Sequence, residues 1–456
     1  MNDISFQYAG SLEGVHDLNL TVKKGECVVL TGPSGSGKTT ITRLLNGLAP
    51  SYYPGTLAGQ IYLDRDAIST LAPCAIGRRV GSVFQDPKSQ FFSSELGGEV
   101  AFACENYGFS REEIRSRTDA AIHSFSLNPL RNRNLDLLSS GEKQRVAIAS
   151  VYALGPKVYV CDEPTANLDN EGTKQLGETL KKLKAQGCTL IIAEHRLSWL
   201  QGIADRFVYL SQGRISWDRS PEEIAALSPR LREAQGLRET VESVKVSLPP
   251  PRGSDPKLKV KSLCCRRKGN EIFSHLDFSV YPGQITAITG TNGAGKTSLA
   301  LTVSGLWRES SGFVEINGRR PATRRRRSLI WYSSNDTGTQ FFTDRVTQEL
   351  LLNSPQTRER LNHAQTLLGN LGLYPYKDAH PATLSGGQKQ RLSIACGILS
   401  GREILIFDEP TSGLDAGNMR TIAEALKAEA NKGKTILVIT HDHELMRHCC
   451  DCEIRL

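Results

Sequence analysis

GPSGSGKT, residues 32–39, sits between the apolar run CVVL and the helix-forming run ITRLL. This GxxxxGK[ST] pattern, placed after a strand and before a helix, suits a loop whose glycines let backbone N–H groups curl around a phosphate. The helix that follows presents its N-terminus to the same negative charge. GTNGAGKT at residues 290–297 repeats the pattern after GQITAITG. In this reading Gly32, Ser34, Gly35, Ser36, Gly37, Lys38, Thr39 and Thr40 contact nucleotide, as do Gly290, Asn292, Gly293, Ala294, Gly295, Lys296, Thr297 and Ser298. Lys38 and Lys296 reach the β/γ-phosphates, while the hydroxyls of Thr39 and Thr297 meet Mg²⁺.

Working outward, the repetition extends to most of the chain. LSSGEKQR at 138–145 returns as LSGGQKQR at 384–391, and VYVCDEPTANLD at 158–169 returns as ILIFDEPTSGLD at 404–415. IIAEH, ending at His195, returns as VITHD around His441. Runs such as VYVCD, ILIFD and TILVITH have the length and β-branched content of buried parallel strands, and they alternate with helical patterns, which predicts an α/β fold with a mainly parallel core in each half. SLPPPRGSDPK at 247–257 reads as the linker, and the polar stretch before it, with Ser-Pro starts, as helical. The expected division is residues 1–217, a helical extension and linker over 218–257, and 258–456. The second copy has no counterpart of residues 211–246.

Within DEPTANLD and DEPTSGLD, Asp162 and Asp408 end apolar strands and are candidates to hold magnesium, with Glu163 and Glu409 placed to polarise a water. The order of phosphate loop, LSGGQ-like signature, DEP strand and histidine resembles the nucleotide-binding domains of ABC-type ATPases, twice over. That resemblance implies two P-loop NTPase domains, each with a parallel β core and a helical subdomain, packed head to tail within one chain and binding ATP and Mg²⁺. It also implies that each signature serves the other half's site: Ser385, Gly387 and Gln388 complete the first, and Ser139 and Gly141 the second. By the same resemblance His195 and His441 contact the γ-phosphate, Tyr8 stacks on adenine, and Gln85 touches Mg²⁺ and the attacking water. The second half departs from this pattern. Counting back from Gly290 puts Arg266 where Tyr8 stands, and aligning on Gln-Phe-Phe puts Asn335 where Gln85 stands. Together with Ser140 and Glu142 in LSSGE, all four departures fall in one composite site, which is expected to turn over more slowly.

The Gln-Phe-Phe at 90–92 and 340–342 resembles the ATPases of energy-coupling factor transporters, which import vitamins and transition-metal ions. The implied partners are an integral membrane coupling protein and a separate substrate-capturing membrane protein, with no nucleic acid and no second ATPase subunit. A sugar-type importer ATPase and a soluble ABC-F-type translation factor remain alternatives. No apolar run approaches the ~20 residues of a membrane helix, and the N-terminus lacks the pattern of a signal peptide. The expected location is therefore cytoplasmic, peripheral on the inner face of the membrane. Eleven scattered cysteines suit a reducing compartment. The net charge is +8, and the one dense basic run, Arg324–Arg327, is expected to form a solvated hairpin face.

Overall fold

The computed structural model describes residues 1–456 apart from residues 12, 167, 241–245, 268 and 353–356, and apart from the side chain of residue 339. Part of the helical reading before the linker lies on residues 241–245, outside this description. Two compact units, Met1–Ser243 and Val244–Leu456, account for the chain.

The first unit is built on a six-stranded sheet in the order Arg214–Arg219, Arg206–Ser211, Cys27–Thr31, Thr189–Ala193, Val158–Asp162, Val80–Val83. Every neighbouring pair is parallel except the Arg206–Ser211 and Arg214–Arg219 hairpin. The central strands are apolar without alternation because helices cover both faces. Cys27–Thr31 and Thr189–Ala193 are buried at every position. Each buried valine, leucine or isoleucine there contributes about 1.5–3 kcal/mol of transfer free energy. In the second unit the order is Ile330–Ser333, Ile404–Asp408, Thr435–Ile439, Ile285–Thr289, Cys452–Arg455, all parallel. Among the described residues, no strand there corresponds to Arg214–Arg219. A helical layer follows the sheet's edge strand in each unit: Leu96–Asn106, Arg111–Ser124 and Ser140–Leu154 in the first, Val346–Leu350, Arg358–Asn370 and Gly386–Leu399 in the second.

Three differences from the sequence reading have physical causes. The boundary expected at 217 falls inside the strand Arg214–Arg219, and the chain beyond it packs on the first unit. Ile224, Leu227 and Leu237 are buried in that unit's core, while Ser220 and Ser228 cap the short helices Pro221–Ala225 and Pro229–Ala234. The proline-rich segment lies along the second unit, where the Glu453 N–H donates to the Pro249 carbonyl at 2.9 Å and the Gln284 side chain donates to the Arg252 carbonyl at 2.9 Å. Finally, the basic run is the helix Thr323–Leu329 rather than a hairpin. Arg326 is fully buried there and pairs with Glu309, which lies 17 residues earlier in sequence. Arg326→Ala removes a fully buried side chain and leaves the partly exposed Glu309 unpaired, so it is expected to cost about 2 kcal/mol, read by chemical denaturation, whereas Arg324→Ala should be nearly silent.

Candidate functional site

In each unit the loop before the first sheet-covering helix is shaped by backbone that only glycine adopts easily. Gly32 has φ +141°, and an added Cβ would lie 2.1 Å from the Leu210 carbonyl oxygen. Gly37 has φ +102°, and a Cβ there would meet Val15 Cγ1 at 2.6 Å. The helix Lys38–Leu45 starts directly after Gly37, and Lys296–Val303 after Gly295, so both loops deliver N–H groups at a helix N-terminus. Lys38 Nζ donates to the carbonyls of Gly32 and Pro33 at 2.9 Å each, and Lys296 Nζ to those of Gly290 and Thr291 at 2.8 and 3.0 Å. Each ammonium therefore bridges its own loop at the place where a phosphate would compete for it.

The strand ends beside these loops bring the predicted acids together. Thr39 Oγ1 donates to Asp162 at 3.2 Å, and Thr297 Oγ1 donates to Asp408 at 2.7 Å. Burial pushes both carboxyls up to about 6, with the neighbouring Glu163 and Glu409 adding repulsion. A buried carboxylate next to a hydroxyl, unfavourable when ionised alone, is a hard-oxygen donor set that fits Mg²⁺. The sign follows: a carboxyl raised in the folded state makes the nucleotide-free protein lose stability as pH rises from about 4 to about 6, and a bound cation offsets that loss. Between pH 6 and pH 5, protons should compete with the cation, weakening Mg²⁺ affinity for the nucleotide-loaded protein by about tenfold per unit in calorimetric titrations.

Glu163 and Glu409 both have left-handed backbone, φ +44° and +51°, which costs a non-glycine residue on the order of 1 kcal/mol and recurs in both units. This conformation follows the strand end and turns each carboxylate toward its histidine. Glu163 lies 3.3 Å from His195 Nε2 and accepts from the Gln85 side-chain amide at 2.8 Å. Glu409 lies 2.8 Å from His441 Nδ1. No hydrogen bond among the described residues joins Asn335 to Glu409, so the shorter amide does not replace Gln85. Instead, Tyr332, which occupies the strand position of Ser82, donates its hydroxyl to Asp408 at 3.2 Å. The Gln-Phe-Phe alignment also places Tyr332 on Ser82, but its bond to Asp408 is seen only in the fold.

Tyr8 ends the strand Asn2–Tyr8 with its hydroxyl donating to Thr40 at 3.3 Å and accepting from Arg43 at 3.1 Å. Beside its ring opens a cavity of about 390 Å³, lined by Gln7, Tyr8, Ala9, Gly10, Ser11 and Thr56. The expectation that Arg266 takes Tyr8's place is corrected by register. Asp3 and Asp17 have left-handed backbone in the antiparallel pair Asn2–Tyr8 and Gly14–Leu18, as do Ser262 and His275 in the antiparallel pair Leu258–Arg267 and Asn270–Val280. Phe6 pairs with Val15 where Cys265 pairs with Phe273. The second hairpin is one residue shorter between these anchors, so Arg267 stands opposite Tyr8. Its guanidinium stacks over Trp307 at 4.3 Å, whereas Arg266 is exposed and paired with Glu271 at 3.1 Å.

The signature residues lie elsewhere in each unit. Ser139 and Ser385 cap the helices Ser140–Leu154 and Gly386–Leu399, each in a capping box with the residue three positions on. No hydrogen bond among the described residues joins them to a phosphate loop. A Cβ at Gly387 would lie 2.7 Å from Leu414 Cδ2, so that side chain would have to shift, whereas a Cβ at Gly141 would meet the Gly172 Cα at an ordinary 3.7 Å. Nothing lies within 4 Å of a Cβ built at Gly386, so Ser140 is accommodated in its own unit and its bulk faces outward. Glu142 accepts from the Ser139 hydroxyl at 2.9 Å, engaging the proton that a phosphate oxygen would need.

Residues 15–166 and 273–412 match the family model described as ABC transporter. A Treponema denticola protein described as an ABC transporter ATP-binding protein is 38% identical over 459 residues, covering 99% of this chain and 93% of that protein. A Bacillus subtilis protein described as an HMP/thiamine import ATP-binding protein is 30% identical over 486 residues, covering 99% and 88%. Among solved structures, a model of ribosome-bound archaeal Pelota and ABCE1 superposes with TM-score 0.70 at 21% identity, over 99% of this chain and 76% of that one, a likeness of fold. With two matched domains, each joining a phosphate loop to an Asp-Glu pair and a histidine, the chain belongs to the ABC transporter family and is a tandem-domain ATPase.

Proposed function

We propose that the chain is the energising subunit of an importer of the energy-coupling factor kind, hydrolysing ATP to drive uptake of a vitamin or transition-metal ion. The observation that carries this reading is the duplicated Gln-Phe-Phe, built the same way twice. In each copy the first phenylalanine, Phe91 or Phe341, packs on the core, and the second points to solvent, with Phe92 74% and Phe342 80% exposed. Buried Glu99 holds the first segment by accepting the N–H groups of Phe92 and Ser93 at 2.8 and 2.9 Å. Glu349 does the same for Phe342 and Thr343 at 3.0 and 2.9 Å. One exposed phenylalanine is ordinary, but the same aromatic on the same carboxylate-held backbone in both units supports a docking role. Among the described residues no helix is long and apolar enough to cross a membrane. The Bacillus subtilis relative described for HMP/thiamine import agrees with a vitamin as cargo.

In this account ATP lies between the phosphate loop of one half and the signature of the other. The first site uses Tyr8, Lys38, Gln85, Glu163 and His195 with Ser385, Gly387 and Gln388; the second uses Arg267, Lys296, Glu409 and His441 with Ser139 and Gly141. When bound, Mg²⁺ neutralises charge on the β- and γ-phosphates, and its ligands would be Thr39 and Asp162 with Gln85, or Thr297 and Asp408. Glu163 accepts a proton from the attacking water, oriented by Gln85, while His195 holds Glu163 in place. Closure on ATP and reopening after hydrolysis would be passed through the Phe92 and Phe342 segments to a membrane coupling protein, with cargo captured by a separate membrane protein. The chain would then sit peripherally on the inner face of the membrane. Affinity purification from detergent-solubilised membranes tests this: a polytopic membrane protein should co-purify in fixed proportion, and recovery of ribosomes without one would refute the reading in favour of a translation factor.

A further inference from the structure

We propose that Glu194 and Asp442 are positioning residues for hydrolysis, each clamping the threonine of its DEPT turn to the strand end that carries the histidine, with the first unit's clamp moved to the opposite side of that histidine. The Thr165 hydroxyl donates to Glu194 Oε2 at 2.5 Å, and the Thr411 hydroxyl donates to Asp442 Oδ2 at 2.8 Å. All four residues are buried. Glu194 immediately precedes His195, whereas Asp442 immediately follows His441. The positions exchanged are filled differently. Arg196 follows His195, and Thr440 precedes His441, its hydroxyl accepting the Asp442 N–H at 3.0 Å.

Side-chain length accounts for the exchange. From the near side of the histidine the longer glutamate reaches the threonine while its other oxygen accepts the His195 and Arg196 N–H groups at 2.7 and 3.1 Å. From the far side the shorter aspartate suffices, and its other oxygen caps the helix His443–Cys449 through the Glu444 and Leu445 N–H groups. Two different residues at two different positions thus make one bond, which points to selection for the bond rather than for either residue. The bond matters because of what the threonine's turn carries. Glu163 lies two residues before Thr165, and the turn between them closes through the Ala166 N–H on the Glu163 carbonyl at 3.1 Å. The clamp therefore ties the left-handed Glu163 to the segment bearing His195, and an error of about 1 Å in such a pair costs turnover rather than nucleotide affinity.

This inference rests on Glu163 and His195 being the hydrolytic pair. Its test is steady-state ATP turnover of the full chain carrying Thr165→Val, which keeps shape and removes the hydroxyl, against Thr165→Ser, which restores it. Thr165→Val should lower kcat about tenfold with KM for ATP within about twofold, and Thr165→Ser should stay within about threefold of the unsubstituted chain. Glu194→Thr should fall as Thr165→Val does, and Glu194→Thr with Arg196→Asp, which recreates the second unit's arrangement, should recover most of the loss. A folded Thr165→Val chain with unchanged kcat overturns the inference, as does a relocated carboxylate that restores neither folding nor turnover. Full turnover in Glu163→Gln would instead remove the hydrolytic pair itself.

Discussion

Glu163→Gln is expected to lower ATP turnover of the whole chain by about 100-fold while leaving ATP binding nearly unchanged. The substitution keeps the shape of a side chain held by Gln85 at 2.8 Å and facing His195 at 3.3 Å, and removes only its capacity to take a proton from water. A positioned general base is worth about 10²–10⁴ in rate, so the loss should appear in kcat and not in KM. Phosphate release at saturating Mg·ATP, with nucleotide binding measured separately, reads both quantities. A parallel rise in KM would mean that the carboxylate serves binding, which its left-handed perch beside the histidine does not suggest.

Phe92→Ser combined with Phe342→Ser should uncouple the protein. Both rings stand in solvent, Phe92 stacked on Phe102 at 4.6 Å between centroids, so their loss should change stability by about 0.5 kcal/mol each. Basal ATP hydrolysis of the isolated chain should stay within about twofold, because neither ring touches Gln85, Glu163 or the phosphate loop. Buried aromatic anchors at an interface are each worth about 2 kcal/mol or more, roughly a 30-fold change in affinity. Uptake in cells carrying the doubly substituted chain should therefore fall by well over tenfold, and co-purification of the membrane partner should be lost. Retained uptake would remove these rings from the docking surface.

Much of the site was legible because its chemistry demands fixed residue types at fixed short spacings. The phosphate loops, Asp162 and Asp408, and both histidines could be read where they stand, and the parallel cores followed from apolar strands without alternation. Legibility failed where a contact is long in sequence or where spacing drifts. Counting back from Gly290 reaches Arg266 rather than Arg267 because Cys265 and its partner Phe273 are eight positions apart where Phe6 and Val15 are nine. Arg326 sits inside a run of four arginines, and its burial depends on Glu309 in a different element. Glu194 and Asp442 escape motif comparison because the carboxylate changes sides of the histidine. Tyr332 aligns with Ser82 in sequence, but its hydroxyl meets Asp408 across neighbouring strands 76 residues apart, a contact no motif encodes. The residues after 217 are polar enough to resemble a linker, although Ile224 and Leu237 anchor them.

The two ATP sites are expected to be unequal, because head-to-tail pairing of the halves would gather the departures at Arg267, Asn335, Ser140 and Glu142 in one of them. Removing the base from the stronger site should cost most of the activity, and removing it from the weaker one little. The direct measurement is steady-state phosphate release from Glu163→Gln and Glu409→Gln chains side by side at saturating Mg·ATP. About 1% of the unsubstituted rate is expected for Glu163→Gln and more than about one third for Glu409→Gln. Equal losses from the two substitutions would contradict it.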